Sequence, residues 1–206
     1  MATGGSPQNL TRADRASERG SGRESDDSLL SRISSGDRDA WAIVVNRHLP
    51  PVTRYATYVL HDMAQAEDIA QETFLRLMKK AADWDSAGGA TLRTWLFRVA
   101  LNLCIDHKRA RRTEPLEAAG EAPDPLDHTV LDHRIDLGRN VRTALGNLPE
   151  RQQAAIVLVH YEGFSGTEAA ETLEISVEAL ESLLARGRRS LREQLSPLAR
   201  DLLGER

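Results

Sequence analysis

"SGTEAAETLEISVEALESLLARGRRSLREQL", residues 165–195, contains two amphipathic helical segments separated by a short turn. Ala170 is small at a point where two helices would cross closely, and Ile175 and Leu180 are apolar where the second segment would pack on the first. Ser176 is placed to cap the second segment, because its hydroxyl can accept a hydrogen bond from a backbone N–H. The stretch therefore predicts a helix-turn-helix, and a plain helical hairpin is the alternative.

The turn and the preceding residues carry further local signals. Glu174 stands where Gly is usual, because this turn tends to need a left-handed backbone, and a side chain there should cost about 1 kcal/mol. Upstream, Pro149 suits the first turn of a helix and Gly163 suits a helix end. Ser165 or Thr167 would cap the next helix. These signals predict a helix before the helix-turn-helix.

The first half of the chain is also helical in pattern. Over residues 27–112, apolar residues recur at spacings of three and four. Pro50 and Pro51 interrupt this pattern, so we expect a kink or a break there. Asp62 is positioned to cap a further helix, with Gln65 in the capping-box position.

The remaining segments divide the chain. Residues 1–26 are rich in Gly, Ser, Arg and Asp and predict a disordered tail. Residues 113–133 contain three prolines and six acidic residues but no Lys or Arg, which predicts a flexible acidic linker over 113–134. Neither a strand pattern nor an internal repeat is visible. We therefore expect an all-α protein with two small helical domains, residues 27–112 and 135–206.

The amino-acid composition indicates a helical protein that is neither inserted in a membrane nor secreted. The 206 residues are 40% hydrophobic but only 4% aromatic, which suits helical cores better than β-sandwiches. We find no run of about 18 apolar residues and no apolar core of a secretory signal, so neither membrane insertion nor secretion is expected. The single cysteine, Cys104, excludes an internal disulfide and fits a reducing, cytoplasmic setting.

The charge is unevenly distributed. The net charge is −4, yet residues 107–112 read HKRARR and directly precede the acidic segment. A phosphate-binding glycine loop and a nucleophile paired with a base are both missing, so we expect neither an enzyme nor a cofactor. Cys104 and His107 would form half of a metal site, but the sequence offers no convincing second pair. Trp41, Phe74 and Trp95 are more typical of a core than of base-stacking platforms.

Three separated segments resemble the extracytoplasmic-function sigma factors, the small promoter-recognition subunits of bacterial RNA polymerase. "AEDIAQETFLRLMKK" (66–80) is similar to the region 2 helix that docks on the core enzyme. Residues 148–195 are similar to region 4. Residues 91–112 resemble the family helix W-L-x-x-I-A-x-N-x-x-x-D-x-x-R, here Trp95, Leu96, Val99, Ala100, Asn102, Asp106 and Arg109.

The resemblance implies a division of labour between the two domains. The first would bind the β′ subunit of the polymerase core and melt the −10 element, and the second would bind the −35 element in the major groove. The acidic linker would pass through the polymerase channel near the β and β′ subunits; a solvated tether is the alternative. The family also implies an anti-sigma factor that covers the polymerase-binding surface.

The resemblance also assigns site residues. One polar helix face is expected to bind the polymerase core: Asp68, Gln71, Glu72 and Arg76. Asn102 would lie near a flipped −10 base, and the other expected −10 contacts are phosphate-binding cations: Arg98, Lys108, Arg109, Arg111 and Arg112. The expected −35 contacts are Ser182, Arg186, Arg188 and Arg189. The alternatives are solvated helix faces and, for residues 107–112, cations that stabilise a helix C-terminus.

The second helix of the helix-turn-helix, here called the recognition helix, differs from the family sequence at its start. Many members read G-T-V-K-S-R where this chain has E-A-L-E-S-L, residues 178–183, so a Lys and an Arg are missing. The carboxylates of Glu178 and Glu181 repel phosphate, although a carboxylate can accept a hydrogen bond from cytosine N4. We therefore expect weak DNA binding by this domain alone, with attachment to polymerase supplying a high effective concentration. Two other classes of protein are alternatives to a sigma factor: a stand-alone helix-turn-helix regulator and a helical protein without a DNA role.

Overall fold

The computed structural model describes residues 24–85, 90–113 and 133–203, and these contain eight α-helices and no strand. The all-α prediction is confirmed. Side chains at 112–113, 133–137, 139 and 197–203 lie outside the description, as do residues 86–89 and most of the predicted tail and linker. The helices are α1 Asp26–Ser34, α2 Arg38–Leu60, α3 Met63–Lys80, α4 Leu92–Thr113, α5 His133–Gly146, α6 Glu150–Ile156, α7 Gly166–Thr172 and α8 Val177–Leu203.

Acidic side chains fix where α2 and α3 begin. Asp37 accepts hydrogen bonds from the backbone N–H groups of Asp39 and Ala40, at 2.8 and 3.1 Å. Asp62 accepts one from the N–H of Gln65 at 3.1 Å, so its predicted role as a cap is confirmed. Each bond satisfies an N–H that has no partner within its own helix.

The expected break at Pro50 and Pro51 is wrong, because α2 continues through both residues. A proline lacks an N–H, so the carbonyls four residues before each one lose their helical partners. Burial compensates for this loss: Val44 and Tyr55, on the two sides of the prolines, are fully buried. The hydroxyl of Thr53 also donates to the Leu49 carbonyl at 3.0 Å. Tertiary packing thus holds the helix together across its weakest point.

Helices α1–α4 form an N-terminal unit around an aromatic centre. Tyr55 and Phe97 are fully buried and meet edge to face, with ring centroids 5.4 Å apart. Phe74 is also buried, and Trp41 packs against it edge to face at 6.4 Å. Trp95 is half-buried against Trp84. These contacts support the expectation that the large aromatic residues serve the core.

Helices α5–α8 form a C-terminal unit that follows the predicted helix-turn-helix. Helix α6 continues into a π-helical turn over Val157–Tyr161, with Glu162 as its C-cap. Gly163 follows directly with φ +68°, which confirms its predicted place at a helix end. Of the two predicted cap residues, Ser165 and Thr167, it is Ser165 that caps α7, in a reciprocal capping box with Glu168. Buried Gly187 lets α8 approach α6 closely, since a Cβ there would lie 3.0 Å from Ile156 Cγ1.

The two units pack directly on each other. Helix α4 contacts α7, and α2 contacts α5 and α6. The aromatic centre of the N-terminal unit extends into the second unit, because Phe97 meets Phe164 edge to face at 4.9 Å. Gly146, at the end of α5, sits so close to His61 that an added Cβ would lie 2.4 Å from the imidazole Nε2. Buried side chains of both units therefore form one continuous core.

Candidate nucleic-acid interface

The four polar residues expected to bind a partner on α3 lie on its outer surface: Asp68, Gln71, Glu72 and Arg76. Glu72 and Arg76 form an ion pair one turn apart, with Nε and Oε1 separated by 2.8 Å. Ile69 and Phe74, on the opposite side of the helix, are buried. The amphipathic pattern of α3 thus presents this surface to solvent while the other side builds the core.

Two large apolar residues that sequence reasoning missed share this surface. Leu75 is 49% exposed and Met78 is 55% exposed. They follow Gln71 by four and seven residues, which places all three on one side of the helix. Exposed apolar side chains ringed by polar ones are typical of protein-binding sites. The sequence contained a signal for this pair: Leu75 and Met78 are large and apolar, yet they fall outside the stripe of α3 that is buried.

Helix α4 carries the residues expected to contact single-stranded DNA. Asn102, Arg109 and Arg111 are exposed, whereas Arg98 and Lys108 are half-buried against the C-terminal unit. Arg112 lies within α4, but its side chain is outside the description. Arg98, Asn102 and Arg109 therefore share one side of the helix, at spacings of four and seven residues, and an amide beside cations is suitable for base and phosphate contacts. Lys108 and Arg111 lie on the other side, beyond the buried part of the helix.

The opposite side of α4 belongs to the core. Cys104 is fully buried, and burial raises the pKa of its thiol to about 12. Among the described residues, no group of three or more His, Cys, Asp or Glu side chains is arranged to bind a metal. Cys104 packs in the hydrophobic core.

The turn of the helix-turn-helix has the predicted left-handed residue. Glu174 has φ +53°, and the N–H of Ile175 donates to the Ala170 carbonyl at 3.0 Å across the turn. Ser176 caps α8 by accepting from the N–H of Ala179 at 3.2 Å. Leu180 is fully buried between the two helices. The geometry at this turn confirms the helix-turn-helix.

The four residues expected to contact duplex DNA are all exposed on α8: Ser182, Arg186, Arg188 and Arg189. The hydroxyl of Ser182 donates to the Glu178 carbonyl at 3.1 Å. The two recognition-helix glutamates differ in their surroundings. Hydrogen bonds from its own backbone N–H and from Ser176 lower the pKa of Glu178, so this carboxylate serves the start of the helix. The side chain of Glu181 is exposed on α8, next to Ser182.

An ion pair between a half-exposed arginine and a buried glutamate joins the two units. The Glu162 side chain is only 1% exposed, and Arg54 of α2 binds its carboxylate with two hydrogen bonds, from Nε at 2.8 Å and from Nη2 at 2.6 Å. Arg93 of α4 donates to the Glu162 carbonyl, and its guanidinium lies 3.8 Å from the centre of the Phe164 ring. Glu162 is therefore held by the N-terminal unit through both its side chain and its backbone.

Two of the expected DNA-binding cations also contact the C-terminal unit. Arg98 donates from Nη2 to the Glu171 carbonyl at 2.8 Å, and its Nη1 lies 3.4 Å from a carboxylate oxygen of Glu174. Lys108 donates to the side-chain oxygen of Gln153 at 3.1 Å. In this arrangement, oxygen atoms of the C-terminal unit occupy part of the cationic surface of α4.

Comparison with known proteins identifies both units separately. Residues 44–114 match the family model of sigma-70 region 2, and residues 138–191 match that of sigma-70 region 4. The chain is 27% identical over 191 residues to the RNA polymerase sigma-H factor of Pseudomonas aeruginosa, covering 87% of this chain and 98% of that protein. It is 30% identical over 175 residues to the ECF RNA polymerase sigma factor SigK of Mycobacterium sp. (strain KMS), covering 82% of this chain and 90% of SigK.

A solved structure supports the same comparison. The structure of CnrH in complex with the cytosolic domain of CnrY is similar to this chain, with a TM-score of 0.65 and 28% sequence identity. The similarity covers 84% of this chain and 99% of that one. It therefore extends over both units rather than over the helix-turn-helix alone.

Proposed function

This chain belongs to the extracytoplasmic-function sigma factors of the sigma-70 family, and on that premise we propose that it directs RNA polymerase core to specific promoters. The observation that carries the proposal is the presence of both family regions, in order, on two helical units. The N-terminal unit corresponds to region 2 and the C-terminal unit to region 4. The chain supplies specificity and leaves the chemistry of RNA synthesis to the polymerase.

The outer surface of α3 is the proposed docking site for the core enzyme. Its polar residues Asp68, Gln71, Glu72 and Arg76 lie beside the exposed side chains of Leu75 and Met78. Apolar anchors at the centre and polar groups at the rim are the usual composition of a protein–protein interface. Leu75 and Met78 would supply most of the binding energy, and the polar residues would fix the orientation.

Helix α4 is the proposed −10 contact. An amide can donate to and accept from a base edge, which suits Asn102 to a base taken out of the stack. The neighbouring cations would hold the phosphates: Arg98, Lys108, Arg109, Arg111 and Arg112. Such contacts make affinity fall steeply with salt concentration.

Helix α8 is the proposed −35 contact, through Ser182, Arg186, Arg188 and Arg189. Glu181 would lie at the groove and favour cytosine over the other bases, because a carboxylate accepts from cytosine N4 and offers no donor. Its repulsion of phosphate weakens binding by this unit alone. Attachment to polymerase offsets the weakness by raising the local concentration of the unit at the promoter.

Control by an anti-sigma factor is also part of the proposal. CnrH, the similar protein of known structure, was solved with the cytosolic domain of CnrY bound. A partner of this kind would cover the α3 surface, where Leu75 and Met78 are exposed. We place the chain in the cytoplasm, where polymerase is found, and none of the helices in the described segments is long and apolar enough to span a membrane.

Binding to purified core polymerase tests the proposal directly. The chain should co-elute with core enzyme in equal amounts, and only the assembled complex should retain a promoter fragment. A stand-alone regulator would instead bind the fragment without core enzyme, usually as a dimer on paired half-sites. Failure to co-elute would overturn the sigma-factor proposal.

A further inference from the structure

The first two turns of the recognition helix, α8, decide which bases this helix can address. In a helix-turn-helix, the residues near the start of the second helix contact base edges in the major groove. Leu180, in the middle of these turns, is buried between the two helices. The exposed side chains are those of Val177, Glu178, Ala179, Glu181 and Ser182. Base recognition by the start of α8 therefore depends on the chemistry of these five residues.

The side chains at residues 176–183 have no hydrogen left to donate to a base. This stretch contains two hydroxyl groups, and both donate within the helix. The Ser182 hydroxyl donates to the Glu178 carbonyl at 3.1 Å, and the Ser176 hydroxyl donates to the Glu178 carboxylate. The start of the recognition helix therefore offers DNA an acceptor, the Glu181 carboxylate, and an apolar side chain, that of Val177.

Cations occur only farther along the helix. Arg186 is the first of them in α8, nine residues and about 14 Å beyond Val177 along the axis. Base pairs are stacked about 3.4 Å apart, so this distance spans about four of them. The start of α8 and its cationic part therefore meet different base pairs.

Val177 provides an apolar contact at the start of the helix, where it is 42% exposed. It lies one turn before Glu181, so the two side chains are on the same side of α8, with Cβ atoms about 5–6 Å apart. In the major groove, the C5-methyl of thymine is the apolar group that such a side chain contacts. Given the stacking distance of base pairs, Val177 and Glu181 would meet positions one or two base pairs apart.

The Glu181 carboxylate can distinguish the four bases, because it accepts hydrogen bonds and donates none. In the major groove, cytosine presents only a donor, its N4 amino group. Guanine presents two acceptors, N7 and O6, which repel a carboxylate. Adenine presents one donor and one acceptor, and thymine presents an acceptor beside its methyl group. Cytosine therefore fits Glu181 best, and guanine fits it worst.

From these contacts we propose that the recognition helix reads a thymine through Val177 and a cytosine through Glu181, one or two base pairs apart in the −35 element. The inference rests on the proposed function, since it names the bases that the region 4 unit selects. The contact to thymine is apolar, and the contact to cytosine is a hydrogen bond to a carboxylate. Neither contact needs a cation, so the acidic start of α8 is compatible with base recognition.

The test uses the holoenzyme, assembled from core polymerase and the full chain, and promoter fragments with a randomised −35 region. Sequencing of the retained fragments should show a thymine and a cytosine enriched within two base pairs of each other. Each enriched thymine is then replaced by deoxyuridine, which lacks only the C5-methyl. One replacement should weaken binding by the wild type about fourfold, the contribution of one buried methyl group. It should not weaken binding by Val177→Ala, whose side chain ends at Cβ.

A second variant tests the contact to cytosine. Glu181→Gln keeps the size of the side chain and adds a donor, and a glutamine pairs with N6 and N7 of adenine. The variant should therefore select adenine in place of the cytosine and keep the thymine. Glu193→Gln is the matched control, because it makes the same chemical change at an exposed position about 18 Å farther along α8. It should select the same element as the wild type.

The outcomes separate this inference from the proposed function. A selected element without such a thymine and cytosine, or equal binding of thymine and deoxyuridine by the wild type at every enriched thymine, would overturn the inference. Selection of the same bases by Glu181→Gln and the wild type would also overturn it. Each of these results leaves the sigma-factor proposal intact if the chain still co-elutes with core polymerase. A chain that never forms a holoenzyme would instead refute the proposed function.

Discussion

The double variant Leu75→Ala, Met78→Ala should weaken binding to core polymerase about 30-fold. Fully burying a Leu or Met side chain contributes about 1.5–3 kcal/mol, and each of these is already about half covered by the fold. Docking would therefore gain about 1 kcal/mol from each side chain. Together they account for about 2 kcal/mol, which corresponds to about 30-fold in the dissociation constant.

The assay is a titration of fluorescently labelled chain with core enzyme, followed by anisotropy. Met63→Ala is the matched control: Met63 is 54% exposed on the same helix, about 18 Å from Leu75 and about 22 Å from Met78 along the helix axis. The melting temperature should change little in all variants, because these side chains are half-exposed. An unchanged dissociation constant for the double variant would show that the exposed α3 surface is not the docking site.

Three further outcomes follow from single residues. Glu181→Lys should change which promoters are used in a transcription assay and strengthen non-specific DNA binding; unchanged promoter choice would exclude a contact at Glu181. Burial, aided by Lys108 and Arg142, holds the pKa of His61 below its ordinary value of 6.5. The packed form therefore binds fewer protons than the unfolded chain, so the His61 contribution to stability should be complete above about pH 7 and should be lost progressively as the pH falls below 6.5. Thermal melts of His61→Asn should lose that part of the decrease, and an identical pH profile would contradict the assignment. With a pKa of about 12, Cys104 should react with Ellman's reagent at pH 8 about a thousandfold more slowly in the native chain than in the unfolded one; fast labelling of the native chain would contradict its burial.

Local signals in the sequence predicted most of the helix ends in the C-terminal unit. Caps and turns depend on a few neighbouring residues, so Gly163 and Ser176 could be assigned from their types and positions alone, and the cap of α7 could be narrowed to Ser165 or Thr167. The left-handed turn at Glu174 was predictable for the same reason, although Glu is a poor residue for it. Periodicity likewise separated the buried and exposed sides of α3.

Features that depend on distant parts of the chain were not predictable. The helix through Pro50 and Pro51 survives because of what packs around it, and a local rule about proline cannot include that packing. The pairing of Arg54 with Glu162 joins positions 108 residues apart and follows no repeating pattern. Sequence reasoning assigned Arg98 and Lys108 to DNA, and it could not show that the second unit contacts them.

Run-off transcription with purified bacterial core polymerase tests the central claim most directly. The templates are promoter regions from the genome that encodes the chain, transcribed with and without it. A sigma factor should give discrete transcripts that depend on the chain and start at fixed positions downstream of shared −35 and −10 elements. Transcripts that are identical in the absence of the chain, or absent altogether from a reaction in which a known sigma factor initiates normally, would contradict it.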